Sequence, residues 1–400
     1  MNRQRTRILI ATTVPETLAT ILAGQPRWLA QHFDIHLITS PGKLLGLVSD
    51  NEGITPKTIK MRRGIAPLTD LLSIWQAFRA IRRIRPDIVH SYTPKAGLVL
   101  MVAAYLARIP VRIHTFTGLV FPSNVGLRRH LLIAVDRLIC ACATNVVPEG
   151  EGVRRDISAH GITNKPLEVV GNGNIAGVDT VHFDPLDHTV VNAASSLRIT
   201  LGIGPRDFVI GFIGRLNRDK GLKEMVAAFT EVADRAKMDA LNGRLWLLCV
   251  GDPDMTAPIP SETMARMASD PNIIMAGWQH DTRPYLGLMD VLVLPSYREG
   301  FPNVLLQGSA MCLPVIATDI NGSNEIVVPG ETGWLVPVHD VEALTTVMRT
   351  LLGLTRCERA QIGANGRARV EGLYTQSIVR NALLDLYLRL SYCVNNLRQD

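Results

Sequence analysis

Two groups of residues in this 400-residue chain have the types and spacing to hold an anionic, hydroxyl-bearing ligand. In the first, Glu299-Gly300-Phe301-Pro302-Asn303 follows the apolar run Val291-Leu292-Val293-Leu294, and its glycine and proline signal a turn into a helix from Asn303 to Met311. A helix start presents unpaired backbone N–H groups and the positive end of a dipole, which makes a seat for an anion. Pro302 suits the first helical position, where its missing N–H costs nothing. Glu299, just ahead of that turn, is better placed to grip hydroxyls than phosphate, or else simply caps the helix. A sugar joined to a diphosphate offers partners for both features.

In the second group, Gly214-Arg215-Leu216-Asn217-Arg218-Asp219-Lys220-Gly221 closes another apolar run. Arg215 can fork onto a phosphate and Lys220 can act as a point charge, so the two can hold a diphosphate. Two cations also stabilise a leaving diphosphate without a metal. Two further turns carry chemistry-bearing residues. Pro94-Lys95 opens an apolar helix to Leu106, a second anion seat in which Lys95 supplies a cation. His114 stands at the end of Val111-Arg112-Ile113-His114, as a ligand contact or as a structural hydrogen bonder.

The elements that must position these residues alternate. Strands are expected at 7–11, 34–39, 87–91, 111–118, 145–147 and 167–170, with an amphipathic helix from Thr17 to Phe33. A new cycle follows at 207–214, 245–250, 272–275, 291–294 and 315–318. Strand–helix alternation predicts parallel sheets with helices on both faces, whose ligands sit at the carboxyl ends of the strands. The glycine-rich passage 171–177 marks a boundary. The expected division is a first Rossmann-like domain 1–178, a linker 179–205, a second such domain 206–372 and a C-terminal helix in 373–400. The first turn, Thr12-Thr13-Val14-Pro15-Glu16, lacks G-x-G-x-x-G, which argues against a dinucleotide oxidoreductase.

Composition narrows the classes. The longest nearly uncharged run, 97–107, is too short to cross a bilayer, and Ile8-Leu9-Ile10 after Arg3, Arg5 and Arg7 reads as a strand and not as a signal peptide. The expectation is a cytoplasmic protein, peripheral at the inner face of the cytoplasmic membrane. The six cysteines show no metal-ligand spacing and are expected as reduced core thiols. Residues 1–178 hold 22 Lys and Arg against 11 Asp and Glu, and the basic excess is densest over 57–85, from Lys57 and Arg63 to Arg85. There the apolar residues Leu68 to Ile81, including Trp75, recur at helical spacing and are expected mostly to pack on the sheet. The basic face is either solvated or seated on anionic lipid, and no nucleic-acid module is visible.

The 299–307 stretch resembles the Glu-x7-Glu carboxylate pair of retaining glycosyltransferases of family 4, with Gln307 in place of the second carboxylate. Gly214 to Gly221 resembles that family's G-R-x4-K-G diphosphate turn, 171–177 its interdomain hinge, and Gly322-Ser323-Asn324-Glu325 a further donor-side signature. The segment 87–118 resembles the capsule, O-antigen and lipid-linked glycan branch, which implies that the first domain binds the acceptor, with Lys95 a partner for its phosphate, and the second the donor. The resemblance implies an α/β GT-B fold, two Rossmann-like domains facing across a cleft, with the terminal helix crossing back. It implies transfer from a nucleotide sugar, with UDP preferred, to a sugar on a polyprenyl diphosphate, with no cofactor. In that resemblance Gly214, Arg215, Lys220, Gly300, Phe301, Pro302, Asn303, Gln307 and Glu325 hold the donor. Glu299 and His114 contact its sugar, and Trp278 frames the base or packs. The carbonyl of Gln307 can still accept a ribose hydroxyl, without the charge. The rival readings are a nucleotide-sugar epimerase on the same fold and a nucleotide-sugar-binding protein without transfer activity.

Overall fold

The computed structural model describes residues 5–62, 64, 66–238 and 243–397, so Arg3, Arg63 and Ile65 lie outside it. The chain forms two compact units, Met1–Gly177 with Gln376–Asp400, and Val178–Thr375.

The first unit is built on parallel strands β1 (Arg7–Ala11), β2 (Asp34–Thr39), β3 (Lys57–Thr58), β4 (Ile88–Tyr92), β5 (Val111–Phe116) and β6 (Asn145–Pro148), in the order β3-β2-β1-β4-β5-β6. Nearly every residue of β1 and β4 is buried, as the unbroken apolar runs require of a sheet covered on both faces. One face carries the Pro67–Ile84, Pro94–Leu106 and Gly126–Cys142 helices. The other face is covered partly by the terminal helix Gln376–Leu397, whose Leu383, Leu386, Tyr387 and Val394 pack with Ile8, Ile10 and Leu18.

Three expectations change here. The Thr17–Phe33 helix is a π-helical turn, Thr17–Ile21, and a short helix, Gln25–Leu29, because Gly24 takes φ 73 and Pro26 follows. Residues 167–170 form no strand; Leu167 makes only an isolated bridge to Val146. In the Pro67–Ile84 helix, Leu68, Leu71, Leu72 and Trp75 are exposed, and the buried face is Ser73, Ala77, Ala80 and Ile81. Mostly small residues lie on the sheet there, while these four large ones face outward.

The second unit repeats the plan with β7 (Phe208–Ile213), β8 (Leu245–Val250), β9 (Ile273–Gly277), β10 (Val291–Leu294), β11 (Val315–Thr318) and β12 (Gly333–Val336), ordered β12-β11-β10-β7-β8-β9. β12 was not legible in sequence. Residues 179–205, expected as a linker, belong to this unit. Their His188–Thr200 helix is capped by Asp187, and Val190 and Ala194 are buried beside Gly287.

Candidate active site

In the second unit the strand order reverses between β7 and β10, which pair through Val291–Ile210 and Leu292–Gly211. Loops leaving such neighbours run to opposite sides and open a crevice at the strand ends. The two sequence groups are those loops. Gly221 has φ 67, and a β-carbon there would stand 1.9 Å from the Pro295 carbonyl oxygen, so the turn after β7 lies directly against the end of β10. Gly322 (φ 77) likewise leaves 2.3 Å between a would-be β-carbon and the Gly300 oxygen, which seats the loop after β11 on the 299–303 turn.

Lys220 and Glu299 meet in this crevice. The Lys220 ammonium donates to Glu299 Oε1, and the side chains are 19% and 15% exposed. The residues expected to hold diphosphate and sugar therefore neutralise one another when the site is free. Arg215, 63% exposed, is steered by Asp254, which accepts from Arg215 Nη1 at 2.7 Å. Asp254 also takes both the hydroxyl and the N–H of Thr256, and chiefly for that reason its carboxyl is held down to about 2. It stays an anion at any working pH. Trp278, 61% exposed at the end of β9, is fixed by its N–H to Asp252 at 2.9 Å, leaving its indole open as a stacking surface.

The other donor-side residues divide by burial. Pro302 is the N-cap of the Asn303–Ala310 helix, one position earlier than its type suggests, and Met311 is the C-cap. Phe301 is buried beside Tyr374, ring centroids 5.5 Å apart, so it braces the turn from behind. Asn303 and Gln307 are half-buried and one helical turn apart, hence on one face. Glu325 caps its own short helix, accepting from the Gly322 N–H at 3.4 Å, and its carbonyl takes Arg369 and Tyr374. Arg215 turns instead to Asp254. The buried atoms Ser296 Oγ, Asn217 Oδ1 and Ser323 Oγ, one on each loop of the crevice, lack a hydrogen-bond partner.

The first unit treats its expected residues differently. His114 is fully buried, with Nδ1 2.8 Å from Ser91 Oγ and its ring against Gly97, where a β-carbon would approach Cε1 to 2.3 Å. Burial pushes it down to about 3, so it is a neutral structural histidine closed off from any sugar, and the expected donor contact is corrected. Strand alternation turns it under the Pro94–Leu106 helix and away from the loop edge. Lys95 is not an open cation: its ammonium is held by both Asp70 oxygens at 2.9 and 2.8 Å, each side chain 12% exposed. At the reversal point of this sheet, the Thr13 and Thr93 hydroxyls lie 2.6 Å apart and tie the β1 and β4 loops.

Of the cysteines, 140, 142 and 249 are buried and 312 is half-buried. Cys357 and Cys393 are exposed, against the expectation of core thiols. Among the described residues no cluster of three His, Cys, Asp or Glu is placed to hold a metal, and no helix is long and apolar enough to cross a membrane. Sequence reasoning missed Asp254, Asp219, Glu224 and Tyr297. Asp219 adjoins Lys220, Tyr297 stands two residues before Glu299, and Asp254 closes Asp252-Pro253-Asp254 just after β8, so each of these had a signal in its position.

Comparison with known proteins agrees with this geometry. Residues 18–173 match the family described as glycosyl transferase 4-like domain, and residues 207–353 match glycosyl transferases group 1. The capsular polysaccharide biosynthesis glycosyltransferase CapM of Staphylococcus aureus is 29% identical over 383 residues, 95% of this chain and 96% of that one. An Escherichia coli UDP-Gal:alpha-D-GlcNAc-diphosphoundecaprenol alpha-1,3-galactosyltransferase is 26% identical over 80% of each chain. In fold, Anabaena HepE in complex with UDP and glucose superposes with a TM-score of 0.78 at 16% identity, over 96% of this chain and 99% of that one. With a 4-like domain in its first half and a group 1 domain in its second, each on its own parallel sheet, the chain belongs to the glycosyltransferases of GT-B-like fold.

Proposed function

We propose that the chain moves a hexose or N-acetylhexosamine from a UDP-linked donor to a sugar carried on a polyprenyl diphosphate, with retention at the anomeric carbon and without a metal. The observation that carries this reading is the meeting of Lys220 and Glu299 at the reversal point of the second sheet, with Arg215 beside them on the same loop. The diphosphate lies on Arg215, Lys220 and the start of the Asn303–Ala310 helix, the ribose reaches Asn303 and Gln307, and Trp278 faces the base. Glu299 takes sugar hydroxyls. The bond from the anomeric carbon to the diphosphate oxygen breaks as Arg215 and Lys220 stabilise the leaving group. The acceptor oxygen bonds to that carbon from the same face, and its proton passes to the departing phosphate oxygen. The name of the E. coli relative, a transferase from UDP-Gal to a GlcNAc-diphosphoundecaprenol, and the binding of UDP and glucose by Anabaena HepE support UDP and a lipid-linked acceptor.

The first unit suits a lipid-borne acceptor. Exposed Leu68, Leu71, Leu72 and Trp75, with Arg79 stacked 4.8 Å over Trp75, share the outer side of one helix. Val125, Leu127 and Leu131 beside Arg128 and Arg129 are exposed on another. Apolar residues edged with arginine fit an anionic bilayer surface, where each basic residue adds about 1 kcal/mol. Sedimentation with phosphatidylglycerol vesicles should fall sharply in Trp75→Ala with Arg79→Glu.

The central test is UDP release from UDP-glucose, UDP-galactose and UDP-N-acetylglucosamine with N-acetylglucosaminyl-diphospho-polyprenol, run with wild type and Glu299→Ala. Turnover that drops by orders of magnitude in the variant is the expected result. Unchanged turnover removes Glu299 from the chemistry, and UDP binding without any turnover favours a binding protein.

A further inference from the structure

We propose that Tyr297 and Glu224 are positioning residues that hold the Lys220–Glu299 pair in register. The proposal rests on the reading of Glu299 and Lys220 above. Three consecutive side chains of the turn after β10 each attach to the segment that carries Lys220: Tyr297 to Glu224, Arg298 to Asp219, and Glu299 to Lys220. The Tyr297 N–H adds a fourth tie, to the Asp219 carbonyl at 2.8 Å.

These ties differ in strength because they differ in exposure. Arg298 and Asp219 are 43% and 31% exposed, and an ion pair in that setting contributes little. The Glu224 side chain is only 9% exposed and accepts the Tyr297 hydroxyl at 2.6 Å, a charge-assisted bond shielded from water. It closes a ring: Glu224 stands four residues after Lys220 and Tyr297 two residues before Glu299. His339 covers the outside, its ring 4.0 Å from that of Tyr297 and its Nδ1 3.4 Å from Glu224. The β7–β10 pairing and the Gly221 contact with Pro295 hold the fold independently of this ring. What the hydroxyl adds is the aim of the two charges.

Misplacing a catalytic group by about 1 Å can lower turnover about a hundredfold. Tyr297→Phe removes one oxygen, and it should lower kcat tenfold or more with KM for the donor changed less than threefold and Tm little changed. Glu224→Ala should match it, Glu224→Gln, which keeps an acceptor, should recover most of the loss, and the double variant Tyr297→Phe with Glu224→Ala should be no worse than either alone. Amide exchange of 297–300, measured without substrate, should quicken in Tyr297→Phe. Wild-type kcat in Tyr297→Phe, or losses that add in the double variant, overturns the positioning role while leaving the transferase reading intact. Exchange that stays slow overturns it even if no donor is turned over, so the two readings fail separately.

Discussion

The Lys220–Glu299 pair makes a prediction that a list of donor-binding residues would not. Under the proposed function, a nucleoside diphosphate entering the crevice takes the Lys220 ammonium from Glu299 and lies beside the freed carboxylate. Two unit charges about 4 Å apart at an effective dielectric constant near 20 attract by about 4 kcal/mol. The side chains are 19% and 15% exposed, so solvation of the separated charges offsets most of that attraction and leaves a net of about 1 kcal/mol. Glu299→Gln removes both the competitor and the like charge. UDP alone should then bind about fivefold more tightly than to wild type, while transfer falls by at least two orders of magnitude. Titration calorimetry of UDP at about 0.15 M and 1 M salt reads this directly, and the gap between the proteins should narrow at high salt. Lys220→Met should lose UDP affinity. Equal or weaker UDP binding in Glu299→Gln would refute the competition between carboxylate and diphosphate, whatever the effect on turnover.

Other consequences follow from the same contacts. Gly221→Ala combines a left-handed backbone (φ 67) with a β-carbon 1.9 Å from the Pro295 oxygen, so the second unit should lose several kcal/mol and UDP should no longer raise its melting temperature. Trp278→Ala should weaken UDP by about 1 kcal/mol, as loss of a stacking surface does, and leave pyrophosphate binding unchanged; an equal loss for both ligands would place the indole away from the base. His90 and His114 are buried and neutral, lowered from 6.5 to about 3, chiefly by desolvation. The unfolded chain therefore binds more protons between those values, so their contribution to stability is full above pH 6.5 and is lost as pH falls toward 3. His114→Asn should flatten the fall of melting temperature between pH 6.5 and 5, where most carboxylates are not yet titrating, and an unchanged slope would count against a neutral His114. Asp136 acts in the opposite sense: burial raises it from 3.8 to about 7, so its contribution is lost as pH rises through that range. Asp136→Asn should raise melting temperature at pH 8 and not at pH 4.

The alternation of apolar runs with amphipathic segments determined two parallel sheets, and the strands that carry the site were readable almost to the residue. Val291–Leu294 and Leu245–Val250 coincide with β10 and β8, because a strand buried on both faces must be an unbroken apolar run. The position of the 214–221 turn and of the Glu299 turn was readable for a related reason. Gly221 and Gly322 answer local constraints of φ and space that no other residue meets. Sequence could not say which residues share a surface. The exposure of Leu68 and Trp75 depended on small residues, Ala77 and Ala80, occupying the sheet-facing side of the same helix. The enclosure of His114 depended on Gly97 in the preceding helix, and the capture of Lys95 on Asp70, twenty-five residues away. Linear order showed a histidine at a strand end and a lysine at a helix start, both reasonable ligands. Strand pairing and helix packing decided that one is sealed in the core and the other already neutralised. The same long-range packing brought Lys220 onto Glu299 and Tyr297 onto Glu224, because ion pairs and buried hydrogen bonds are made by whatever the fold sets within about 3 Å, at any separation along the chain.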